Sequence, residues 1–136
     1  MLKKILLLLS LFFLNIFSME TEEKKGINIL WKQLEQLIDS DETIKIWGDE
    51  VQLINNINNL YIKCHRMIRA QAMFEHNFRV GNICKRLIRK LSKIVFETVC
   101  RETIETCLNE FCIKKNKDME NILICALKNF DSVSNE

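Results

Sequence analysis

Proline is absent from this 136-residue chain, and glycine occurs only three times, at Gly26, Gly48 and Gly81. A backbone with so few breakers has little room for turns and loops. Alternating apolar and polar runs are nearly missing as well, which excludes sheet as the main architecture. Three catalytic signatures are also lacking: a nucleophile elbow, a glycine-rich phosphate loop and a zinc-protease helix. The two histidines, His65 and His76, stand eleven positions apart. On a helix that is ~16 Å along the axis, too far to share one metal ion. The chain therefore reads as a non-enzyme, with no cofactor or metal expected. There is no Asn-x-Ser/Thr acceptor, so no ordinary N-glycan is expected either.

Cysteine is missing from residues 1–18, although six follow. Those first residues have the form of an export signal. Lys3 and Lys4 supply a basic start, Ile5–Phe17 an apolar run, and small Ser18 a cleavage point. The run is shorter than the ~20 apolar residues a membrane-spanning helix needs, so no transmembrane anchor is expected. Removing residues 1–18 leaves 19–136 as a single secreted domain, large enough for a modest core.

An even set of cysteines on an oxidising route makes disulfides the default expectation for Cys64, Cys84, Cys100, Cys107, Cys112 and Cys125. Only Cys107 and Cys112 approach metal-ligand spacing, and no second pair completes a site. If the last helix folds back about a turn near Asn116, Cys107 and Cys125 come level. Folding about Gly81 brings Cys64 near the level of Cys100, which leaves Cys84 with Cys112. The spacing of the six carries no family resemblance.

Helical periodicity fills the rest. Ile27, Leu30, Trp31, Leu34, Leu37 and Ile38 mark a first amphipathic helix ending near Asp39–Asp41. Thr43–Gly48 is either a turn of helix or an extended connector. Asp49 then caps a second helix, with Gln52 in the capping-box position and helical spacing up to Phe78, ended by Gly81. In the third segment Cys84, Leu87, Ile88, Leu91, Ile94 and Val95 share one side, and Lys85, Arg86, Arg89, Lys90 and Lys93 the other. Past Phe96–Val99 the apolar stripe moves to the opposite face with Cys100, Ile104, Cys107, Leu108 and Phe111. Either the helix breaks there or one long helix uses two sides, and the β-branched residues around the flip favour a break. A last helix, capped by Asp118, buries Met119, Ile122, Leu123, Ala126, Leu127 and Phe130, with Asp131–Glu136 fraying. The fold expected is an all-α, disulfide-stapled bundle of four to five helices.

Charge is unevenly distributed. Residues 63–96 hold nine bases and one acid, whereas 20–62 hold nine acids and four bases and 97–136 eight acids and five bases. The five cations of the third helix fall within a ~140° arc, a surface fit for an anionic partner. The opposing expectation is that Glu35, Asp39, Asp49, Glu102 and Glu105 cover them. Three functions are consistent with this pattern. The first is a secreted binder of an extracellular protein or anionic polymer, with nucleic acid not expected. The second is a carrier of a lipid or other apolar ligand, lined by Met67, Met73, Phe74, Phe78 and Phe111. The third is a membrane-active protein with amphipathic helices.

Overall fold

The computed structural model describes residues 3–4, 25–75 and 78–134. Lys3 and Lys4 are helical and exposed; the rest of the expected export segment, and His76, lie outside the described residues. From residue 25 onward the chain forms five α-helices and one short 3-10 helix, with no strand among the described residues. Residues 25–39 are helical (α1) and the 3-10 helix covers Glu42–Lys45. The others are α2 (Glu50–Phe74), α3 (Val80–Thr98), α4 (Arg101–Ile113) and α5 (Lys117–Ser134).

The apolar stripes decide how these helices meet. Ile83, Leu87, Leu91 and Val95 of α3 are fully or almost fully buried, as are Met119, Ile122, Leu123 and Ala126 of α5. Helix α3 packs extensively against α5, α4 packs along α5, and α2 closes the core against α3 and α4. Helix α1 adds Leu30, Trp31, Leu34 and Ile38 to the same core. It also meets α3 at its surface, where the Arg86 guanidinium lies 4.4 Å from the Trp31 ring centre. At the start of α1, Gly26 allows close approach to the end of α2, since a Cβ there would stand 3.2 Å from the Glu75 carboxylate.

Two polar devices fix the helix ends. Asp49 accepts the Gln52 N–H at 3.0 Å, the expected cap, but the Gln52 side chain donates forward to Asn56 Oδ1 instead of closing the box. Buried Asn56 in turn donates to the Thr43 carbonyl at 2.7 Å, fastening the 3-10 helix to α2. At the α4–α5 turn, Asn116 N–H bonds the Phe111 carbonyl and Lys115 N–H the Cys112 carbonyl around a left-handed Lys115 (φ 59°). This is the helix-ending pattern usually built on glycine. Asn116 then receives the Met119 N–H at 3.2 Å, so Asn116 rather than Asp118 caps α5.

Several expectations need correction. Helix α2 stops at Phe74, and the extended backbone of Glu75 begins the reversal. Gly81 lies inside the first turn of α3 and ends nothing. The C-terminal residues 131–134 remain helical, held by an Arg101–Asp131 ion pair at 3.1 Å. The stripe flip is resolved as a break: Val99 and Cys100 are extended, and the chain re-enters a helix at Arg101.

The expected disulfide staples are not formed; all six cysteines are free thiols. Cys64 is completely buried in the α2 core face, whereas Cys100 sits beside Glu50, fourteen residues earlier on α2. That separation is ~21 Å along the helix axis, three times the span of a disulfide. Cys107 faces inward on α4, while Cys125 lies ~110° from the centre of the buried face of α5. Coming level is not enough when the side chains point apart. Cys112, at the exposed end of α4, hydrogen-bonds Glu120 rather than meeting Cys84.

Candidate functional site

Because α3 buries its apolar side against α2 and α5, its basic side must face outward. Lys85, Arg86, Arg89 and Lys93 are exposed and Lys90 is half-buried. Lys85, Arg89 and Lys93 follow one another at intervals of four, forming a ridge ~12 Å long. Among the described residues, none of these three is within ion-pair distance of a carboxylate. Lys90 alone reaches an acid, Asp39 of α1, at 4.0 Å. Arg86 is anchored on Trp31 and still presents an exposed surface.

Two of the acids expected to cover the ridge are engaged elsewhere, while Asp39 reaches the half-buried Lys90 at its flank. Glu105 pairs with Arg101 at 3.2 Å on α4, and Asp49 caps α2. Glu50 accepts the Thr103 hydroxyl at 2.7 Å and the Cys100 N–H and thiol at 3.2 Å each. One carboxylate from the first turn of α2 thereby also serves the N-terminus of α4, where the helix dipole favours negative charge. The Thr103 hydrogen bond, followed by those from Cys100, holds the Glu50 carboxyl below its usual 4.5.

Four of the six thiols are poorly prepared for chemistry. Burial, and then the nearby Asp41 charge, pushes Cys64 up to about 11. Burial raises Cys84 and Cys107, and the bond to Glu120 raises Cys112. A thiol held above its normal range has little of the reactive thiolate. His65 stacks on Tyr61, with ring centres 5.6 Å apart, and forms no ion pair among the described residues. Among the described residues, no His, Cys, Asp and Glu group is placed to hold a metal ion. No described helix is long and apolar enough to cross a membrane.

The ligand cavity expected around Met67, Met73, Phe74, Phe78 and Phe111 is not assembled. Phe111 is buried in the general core, while Met73 and Phe74 are each 86 % exposed at the end of α2. A pocket of about 970 Å³ lies instead where α1, the 3-10 helix, α2 and α3 converge. Its apolar wall includes Ile38, Ile44, Leu53 and Ile94, and its polar edge includes Asp39, Lys45, Asp49, Glu50 and Glu97. Trp47 stands at its lip, 98 % exposed. Gly48 beside it has φ +95°, a turn that other residues enter only under strain. The sequence signal was the short TIKIWG stretch, which periodicity left open between a turn of helix and an extended connector.

No protein-family model matches this chain, and neither a curated protein nor a solved structure is similar to it.

Proposed function

We propose that this chain is an exported, non-enzymatic binding protein whose α3 ridge engages an anionic extracellular macromolecule, either a sulfated polymer or an acid-rich protein. One observation carries the reading: Lys85, Arg89 and Lys93 project from a rigid helix without a single carboxylate partner among the described residues. Parallel cations fixed on a packed helix attract anions without the ordering cost of a flexible tail. Their attraction extends over a Debye length of ~8 Å at physiological salt. Export rests on the basic start and apolar run of residues 1–18 alone, since unpaired cysteines no longer argue for an oxidising route.

The test is charge reversal. Lys85→Glu, Arg89→Glu and Lys93→Glu together should move elution from a heparin column to much lower salt while helicity and melting temperature stay unchanged. The same reversal at Lys114, Lys115 and Lys117 controls for net charge and should matter less. Equal losses from the two triple variants would reduce the ridge to ordinary surface. Retention on heparin compared with an immobilised acidic protein distinguishes the two partner types.

A further inference from the structure

We propose that the pocket beneath Trp47 binds an amphipathic organic cation, a small molecule with an aliphatic body and one ammonium head. The volume of about 970 Å³ falls at the upper end of the ~300–1,000 Å³ typical of small-molecule sites. Ile38, Ile44, Leu53 and Ile94 come from four different elements and offer the body an apolar wall. The edge specifies the head. Four carboxylates, Asp39, Asp49, Glu50 and Glu97, face one lysine, Lys45.

Two of those acids are already engaged, Asp49 by the α2 cap and Glu50 by Cys100 and Thr103. Glu97 is exposed and bonds nothing among the described residues, and Asp39 has only a long contact to Lys90. These two supply the charge for an ammonium group, and the engaged pair adds to the same negative field. An anionic head would meet repulsion from all four.

Trp47 explains the choice of a cation further. An indole left almost wholly in water forgoes a large gain from burial. Its π-face is the strongest aromatic acceptor for a cation. Placed at the mouth of an acid-edged pocket, it can cover an ammonium head while the body fills the wall below. The site borders the α3 ridge, with Glu97 one turn beyond Lys93, but its existence does not depend on the anion-binding reading.

The two tryptophans make the test direct, because Trp31 is buried and Trp47 dominates any change on ligand addition. Decyltrimethylammonium, added below its micelle-forming concentration, should shift the emission of the purified protein to the blue and saturate. Decyl sulfate, with the same tail, should bind at least tenfold more weakly. Trp47→Phe should abolish the shift, and Asp39→Asn with Glu97→Gln should weaken binding roughly tenfold, as loss of charge-assisted contacts implies. The ridge variant Lys85→Glu, Arg89→Glu, Lys93→Glu should bind the cation no more weakly. Circular dichroism establishes that each variant is folded. The proposal is overturned by equal binding of the two detergents, by a shift that survives both pocket variants, or by no shift at all.

Discussion

Helix α3 carries two regions of opposite sign. Its outward face from Lys85 to Lys93 is a positive ridge, whereas its last turn contributes Ile94, Glu97 and Thr98 to a pocket edged by acids. The ridge belongs to one helix and follows from one amphipathic stripe. The pocket belongs to no single element, and its walls are separated by up to 65 positions of chain, from Ile38 to Thr103. The difference shows where the acidic flanks went. Rather than neutralising the ridge, Asp49 and Glu50 are placed at helix N-termini, where orphan N–H groups and the helix dipole reward a carboxylate. Lys85, Arg89 and Lys93 stay open while these two carboxylates are held at helix ends.

Removing the common support should break both regions together. Leu91 is completely buried on the inward side of α3, between the ridge and the α5 seam. Leu91→Ala should cost about 2–5 kcal/mol in urea unfolding, as expected for a cavity in a close-packed core. A loss well under 1 kcal/mol would mean that α3 is not anchored as described.

A smaller, one-sided effect is expected from Glu50→Gln. The Glu50 carboxyl is held below 4.5 by Thr103 and Cys100, so its stabilisation is present above the unfolded value and is lost as pH falls through the lower folded one. The variant should melt earlier than the parent at neutral pH, and the gap should close on the acid side of 4.5. Heparin retention should not change, since Glu50 touches the α2–α4 junction and not the ridge. A gap that widens in acid would contradict the assignment.

The smallest effect sharpens the comparison by leaving both regions alone. With six free thiols, adding a reductant should not move the melting temperature, and alkylation of the denatured, unreduced chain should add six labels. Fewer labels, or a melting point lowered by reduction, would restore disulfides to the account.

The break between α3 and α4 shows how far the chain could be read. The stripe moved to the opposite face between Phe96 and Val99, and the structure turns there through the extended backbone of Val99 and Cys100. The Asp49 cap was similarly visible, because a cap involves neighbours a few residues apart. Gly81 misled because its composition marks a breaker but not which side of the reversal it occupies. The cysteines misled for a related reason: compartment and parity say nothing about direction, and Cys125 points away from the inward face that Cys107 occupies.

By itself, then, the sequence determined the helices, their inward faces and the basic ridge, because each depends on residues within a few turns of one another and on the 3.6-residue period. Only the tertiary structure decided that the thiols stay apart, that Glu50 serves a helix fifty positions away, and that the exposed Trp47 borders an acid-edged pocket. Those outcomes depend on how separate helices are rotated and leaned against one another, a choice made by packing the whole core at once and written in no local stretch of chain.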